Sequence, residues 1–90
     1  MNDKKYMVSI NHEVIFDCEV IEHATKIMGF DAEECAATTC MKIISDFVQV
    51  YSEGFNISMC GNKGGCSQLF ARKDPMLVVD TVVVYEIKKW

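Results

Sequence analysis

Residues 30–54 read FDAEECAATTCMKIISDFVQVYSEG and contain the clearest structural pattern of the chain. Asp31 can cap the first free N–H groups of a helix, and Glu34 can complete a capping box. Apolar residues then recur at helical spacing, and Gly54 follows them at a position typical of a helix end. The apolar stripe consists of Cys35, Ala36, Cys40, Ile43, Ile44, Phe47, Val48 and Tyr51. This stretch predicts one long amphipathic helix of roughly 30 Å.

The segment before this helix predicts two strands and a short second helix. Residues 6–10 alternate between two faces, and a turn is expected at Asn11-His12. Residues 13–20 fit either a strand or a helix, because their apolar positions also continue at steps of three and four residues. The favoured interpretation is a strand to about residue 18 and a helix over residues 19–28, which Gly29 ends.

The segment after Gly54 predicts three strands, because its apolar residues alternate with period two. The strands cover residues 55–60, 66–73 and 76–87, with a glycine-rich turn at 61–65 and a turn at Asp74-Pro75. The last strand is apolar on both faces, which favours a central position. The predicted fold class is α+β. A small antiparallel sheet in the order ββααβββ has the long amphipathic helix packed across one face.

Size and composition indicate a single compact domain over residues 1–90. The chain is 50% hydrophobic and 24% charged, with five glycines and one proline, which excludes disordered and collagen-like proteins. A core this small supplies only roughly 3–5 kcal/mol, and homodimerisation or a bound partner is one way to add more. The chain shows neither a signal peptide nor an apolar run long enough for a bilayer, which predicts a cytoplasmic protein without membrane contact.

Charge is distributed unevenly along the chain. Residues 1–54 carry ten acidic residues and four lysines, whereas residues 55–90 carry three acidic and five basic residues. The general interpretation is a solvated acidic face that keeps a small protein in solution. The more specific interpretation is a surface that docks on a basic protein partner rather than binding nucleic acid directly. The predicted partner contacts lie on the exposed helix face and at the tip of the 61–65 turn: Glu33, Asp46, Glu53, Asn62 and Lys63.

The five cysteines support an alternative hypothesis, a zinc or thiol-redox module. Cys60 and Cys66 border the glycine turn, where they could face each other as a redox pair or act as weak metal ligands. Cys18, Cys35 and Cys40 are interpreted as small buried hydrophobes. Free thiols are expected in a reducing compartment, and no metal ion or other cofactor is predicted.

No catalytic set is evident in the sequence. The two histidines, His12 and His23, have no spacing to a carboxylate that is typical of a triad or a metal site. The protein is therefore predicted to be non-enzymatic and to act by protein–protein contact. Its size, its acidity and its lack of catalytic residues are similar to those of small phage or mobile-element inhibitors of nucleic-acid-handling host machines, anti-CRISPR proteins among them.

A second resemblance covers residues 28–57, MGFDAEECAATTCMKIISDFVQVYSEGFNI. This stretch is similar to the second helix of ribbon-helix-helix antitoxins, in which a short turn and a capped helix follow an N-terminal strand. The resemblance implies an alternative function as a DNA-binding regulator whose N-terminal strand enters the major groove. The side chains that would do so are Met7, Ser9 and Asn11, together with Lys4 and Lys5.

Overall fold

The structure is a computed structural model that describes residues 4–62 and 65–87, except for the side chain of Asn62. Within these residues the chain forms β1 (Tyr6–Phe16), β2 (Glu19–Phe30), α1 (Glu33–Val50), β3 (Asn56–Asn62), β4 (Cys66–Lys73) and β5 (Met76–Glu86). The predicted α+β class with an antiparallel sheet is confirmed, although strands predominate. The predicted order ββααβββ is wrong, because the observed order is ββαβββ.

The five strands form one antiparallel sheet in the order β2-β1-β5-β4-β3. β5 lies in its centre, which confirms the position predicted from its apolar composition. Val78, for example, pairs with Val14 of β1 on one side and with Ala71 of β4 on the other. The turn at Asp74-Pro75 is also where the sequence predicted it. β3 and β4 pair as predicted, but β3 extends through Asn62, two residues into the predicted turn at 61–65, and residues 63 and 64 of that turn lie outside the described residues.

The hairpin that joins β1 to β2 differs from the prediction. β1 continues through Asn11 and His12, and the chain turns instead at Asp17 and Cys18, whose φ angles are 51° and 67°. Two consecutive residues with positive φ are typical of a type I′ hairpin turn, which matches the twist of its strands. β2 then runs back along β1, so the helix predicted over residues 19–28 is wrong.

The pairing of β2 with β1 explains why this segment is not helical. Val20, Ile21, Thr25 and Ile27 are β-branched residues, which favour strands. The apolar residues of this segment fit a period of two as well as steps of three and four residues, so their spacing does not by itself select a helix. As a strand, the segment forms backbone hydrogen bonds with β1 along its length. A β-bulge at Ile21 absorbs one extra residue in β2.

α1 crosses one face of the sheet, which we call the helix face. Since β2 and β3 lie at opposite edges, the chain between them has to traverse the sheet, and 18 helical residues span about 27 Å. The helix buries Ala36 and Phe47 against the sheet. The remaining buried core residues come from β1, β4 and β5: Val8, Val14, Leu69, Ala71, Val78 and Val82.

The ends of α1 differ from the predicted caps. The N-cap residue is Ala32, which makes no side-chain capping hydrogen bond, so Asp31 does not cap the helix. Glu33 and Glu34 occupy the first turn, where the helix macrodipole favours acidic side chains. Gly54, with φ of 83°, lies in the turn after the helix rather than at its end. Within the described ranges, the chain has no helix with both the length and the hydropathy of a membrane span.

Candidate functional site

The side of the sheet opposite α1 is uncovered by any described element, and we call it the open face. It carries groups of apolar side chains together with charged residues such as Glu13 and Arg72, which lie opposite Val79 and Leu77. Side chains alternate along a strand, so the neighbours of Val78 and Val82 in β5 point away from the helix. An antiparallel sheet with one solvated face normally carries polar residues there. In β5, however, most side chains on the open face are apolar. They are Leu77, Val79, Thr81, Val83 and Tyr85.

One group of apolar side chains lies towards the end of the open face near the β1–β2 turn. Val79 pairs with Phe70 of β4, and Leu77 pairs with Ile15 of β1. These four residues, the Leu77 cluster, are half-buried and do not belong to the core that α1 covers. Their burial comes from neighbours within the sheet, so a docking surface could cover them further.

A second group lies towards the opposite end of the open face. Met7 pairs with Tyr85, while Ser9 lies between Ile27 of β2 and Val83 of β5. Ile27 is 55% exposed and Tyr85 is 41% exposed. We call Met7, Ile27, Val83 and Tyr85 the Val83 cluster. Large aliphatic and aromatic side chains at such exposure mark a surface that gains free energy when a partner covers it.

A row of uncharged polar side chains separates the two clusters. The strand register places four of them side by side across the sheet: Thr25, Asn11, Thr81 and Gln68. The Thr25 hydroxyl donates a hydrogen bond of 2.7 Å to Asn11 Oδ1. The remaining donors and acceptors of this row can bind a partner, so the open face combines apolar contact area with hydrogen bonding.

The predicted acidic contacts lie on α1 and in the turn that follows it, away from the open face. Glu33, Asp46 and Glu53 are all exposed. Glu33 is in the first turn of α1, whereas Glu53 lies beyond its last residue. Glu33 and Asp46 point about 140° apart around the helix axis at 100° per residue. The structure therefore spreads these acids over separate parts of the surface instead of grouping them.

The predicted contacts at the β3–β4 hairpin lie at the end of the sheet. Asn62 pairs with Cys66 at the end of β3, and Lys63 lies outside the described residues. Cys60 pairs with Gln68, so Cys60 and Cys66 are diagonal rather than directly opposite. A diagonal pair is roughly 7–8 Å apart, which exceeds the Cα separation of an ordinary disulfide. Both thiols are free, and the expected direct opposition of the two cysteines is not observed.

The other three cysteines differ in exposure. Cys18 and Cys35 are exposed, so their interpretation as buried hydrophobes is wrong. Cys18 lies in the β1–β2 turn, and Cys35 lies on the outward side of α1. Cys40 is half-buried against the core, and this burial raises the pKa of its thiol. In the part of the chain that the structure describes, no three or more His, Cys, Asp or Glu side chains are grouped to hold a metal ion.

A polar pair that the sequence did not reveal lies on the helix face. His12 Nδ1 donates a hydrogen bond of 2.5 Å to Asp80 Oδ1, between adjacent positions of β1 and β5. Because a carboxylate oxygen accepts hydrogen bonds, we assign the donor in this contact to His12 Nδ1. The two side chains are 27% and 15% exposed. The residues are 68 positions apart, so no spacing in the sequence could indicate the pair.

A shallow groove of about 290 Å³ adjoins this pair, between the C-terminal half of α1 and the sheet. Tyr51 forms one wall and packs against Phe47 and Phe55, with ring centroids 4.8 Å and 5.2 Å away. Burial, and secondarily the charges of Asp80 and Glu22, raise the pKa of Tyr51. The hydroxyl therefore stays protonated over the neutral range.

Comparison of the chain with protein-family models, with curated proteins and with solved structures finds no match. The candidate site therefore depends on the geometry of this chain alone. The sequence did contain a signal for the open face, although it was not interpreted as a surface. Leu77, Val79 and Val83 made β5 apolar on both faces, a pattern interpreted only as evidence for a central strand.

Proposed function

We propose that this protein is a non-enzymatic binding module that acts by protein–protein contact and receives its partner on the open face. The observation that supports this proposal is the pair of apolar clusters on a sheet face that α1 does not cover. Each Å² of apolar surface removed from water gains about 25 cal/mol, from which the entropic costs of association are subtracted. The clusters lie on a rigid sheet, so docking requires little ordering of the backbone.

The composition of the open face defines the chemistry of the partner. Its apolar side chains flank the polar row of Thr25, Asn11, Thr81 and Gln68. The complementary surface on the partner has apolar side chains on both sides of a stripe of hydrogen-bonding groups. In this arrangement the acids on the helix side steer a basic partner towards the complex rather than form its central contacts.

The narrower functions remain predictions, and the fold favours some of them more than others. An inhibitor of a nucleic-acid-handling host machine, of phage or mobile-element origin, is compatible with this docking mode. The DNA-binding alternative is less favourable, because β1 pairs with β2 and β5 on both sides and is not free to enter a groove as a separate ribbon. The thiol-redox alternative is weakened by the diagonal placement of Cys60 and Cys66.

A site-specific photocrosslinking experiment tests which side of the protein receives the partner. A photoreactive amino acid replaces Val79 on the open face in one variant and Glu53 on the helix side in another, in cells that express the protein naturally. We expect one discrete adduct from position 79 and none from position 53. If adducts form from position 53 alone, the partner docks on the acidic helix side, and the proposed docking on the open face is wrong.

A binding measurement with the crosslinked partner completes the test. Val79→Lys replaces an apolar side chain of the Leu77 cluster with a charged one, opposite Glu13 of β1. We expect a rise in Kd of at least about 10-fold, because the desolvation of a charge at an interface costs free energy even where it is paired. Glu53→Lys is the control and is expected to change Kd by less than about fivefold at physiological salt. Circular dichroism is used to check that both variants are folded. Equal affinities for wild type and Val79→Lys would contradict the proposal.

A further inference from the structure

β2 is an edge strand with an unusually open outer side. It is 12 residues long, and among the described strands it pairs with β1 alone. Every residue from Glu19 to Ile27 is exposed, and three of them are large aliphatic residues: Val20 at 55%, Ile21 at 60% and Ile27 at 55%. Proteins that remain monomeric usually shorten such an edge, cover it, or place proline or several charges on it. β2 carries no proline, and its three charged residues, Glu19, Glu22 and Lys26, have both signs, so they can pair with a second strand instead of only repelling it.

The opposite edge of the sheet is different. β3 has seven residues and contains Gly61, which weakens a strand. It carries no charged residue that could select a register, and Met59 is its only large side chain of high exposure. The two edges therefore differ in length and in charge, and β2 is the one that can specify a partner strand.

We propose that β2 pairs antiparallel with β2 of a second copy of this chain, in a twofold register centred on Ala24. Twofold symmetry requires that one residue of the strand lies opposite its own copy, which leaves only a few registers. In the register centred on Ala24, Glu22 lies opposite Lys26 of the second copy, and by symmetry Lys26 lies opposite Glu22. Ile21 and Ile27 come opposite each other in the same way.

The neighbouring registers are less favourable. Centring on His23 or on Thr25 moves the partner by two residues and places both Glu22 and Lys26 opposite uncharged side chains. Centring on Glu22 or on Lys26 brings two identical charges together, which is destabilising. Charge complementarity thus selects one register for the second copy. The β-bulge at Ile21 limits the regular ladder to residues 21–27.

The dimer has a defined architecture. The ladder joins two five-stranded sheets into one continuous sheet with an isologous interface. Glu22 and Lys26 lie on the helix face, since they pair with Val14 and Ile10, whereas Ile27 lies on the open face. A twofold axis perpendicular to the sheet keeps both helices on one side. It also joins the two open faces into one larger surface, so this inference extends the proposed function without depending on it.

Charge reversal in single and double variants tests the register. Glu22→Lys and Lys26→Glu each create two repulsive contacts in the dimer, and the double swap Glu22→Lys/Lys26→Glu restores two attractive ones. Sedimentation equilibrium under reducing conditions measures the dimer Kd. We expect each single reversal to raise Kd about 10- to 100-fold, and the swap to return it to within about threefold of wild type. As controls, Lys42→Glu on α1 and Glu53→Lys after α1 make the same charge reversals away from β2. We expect them to leave the dimer Kd unchanged.

Three results would overturn the register: a wild-type protein that stays monomeric up to millimolar concentration, single reversals without effect, or a swap that does not restore the dimer. Hydrogen exchange gives an independent readout. Amides of residues 21–27 are expected to exchange more slowly as the protein concentration rises, while those of β3 do not change. Protection confined to β3 would assign the interface to the other edge and contradict the proposal.

Discussion

The two faces of the sheet contain similar residues but have different environments. On the helix face, Leu69, Val78 and Val82 are almost completely buried under α1. On the open face, Leu77, Val79 and Val83 are the chain neighbours of Val78 and Val82 in β5 and are only half-buried. The difference shows that apolar composition alone does not define a core. A residue stabilises the isolated fold only where another element removes it from water.

The sharpest test of this comparison substitutes the same residue on each face. Leu69→Ala leaves a cavity beneath α1, and we expect it to lower the free energy of unfolding by about 3 kcal/mol. Leu77→Ala removes the same atoms from a site without a covering layer, with an expected loss of about 1 kcal/mol or less. Urea unfolding followed by circular dichroism measures both. Equal losses would mean that the open face is covered in solution and would break the distinction between the faces.

A smaller effect is expected from the polar pairs of the two faces. Asp80→Ala removes the hydrogen-bond partner of His12 on the helix face, where both side chains are partly buried. We expect a loss of about 1–2 kcal/mol, since a hydrogen bond to a charged group is lost and a donor is left without its acceptor. Glu13→Ala, opposite His23 on the open face, is expected to change stability by less than about 0.5 kcal/mol. The comparison fails if Glu13→Ala costs as much as Asp80→Ala.

The smallest expected effect is a pH dependence that arises on the helix face. Burial raises the pKa of Tyr51 above its ordinary value of 10.0, so the unfolded chain loses this proton at lower pH than the folded chain. The contribution of Tyr51 is thus complete below pH 10 and is lost as the pH rises through the folded pKa. We expect Tyr51→Phe to show a shallower decline in stability above pH 10 than wild type. Thermal unfolding of both proteins from pH 8 to 11 measures this decline. If the stability of wild type and of Tyr51→Phe falls with the same slope, this role of Tyr51 is excluded.

The fold was largely predictable where local chemistry has one interpretation. The amphipathic pattern of residues 30–54 identified α1, and the alternation after Gly54 identified three strands and the central place of β5. The segment of residues 19–28 was not predictable, because its apolar residues fit two periods at once. The choice between them came from β1, which offers a complete ladder to a strand and only one face to a helix.

The candidate site was less predictable than the fold. The acids Glu33, Asp46 and Glu53 were predicted to share one exposed helix face. The step of 100° per residue separates Glu33 from Asp46, and the structure ends α1 before Glu53. The pair His12 and Asp80 joins residues that are far apart in the chain, and its formation depends on the β1–β5 register. Functional surfaces made of several strands are not encoded in any single stretch.

The sequence by itself determined the periodic elements, the turn at Asp74-Pro75, the central strand and the uneven distribution of charge, because each depends on residues close together in the chain. The tertiary structure decided the rest. It converted residues 19–28 into an edge strand, assigned one side of β5 to the core, and left the other side uncovered. The physical reason is that burial is a property of pairs of elements, and the chain contains one helix within its described residues for a sheet with two apolar faces.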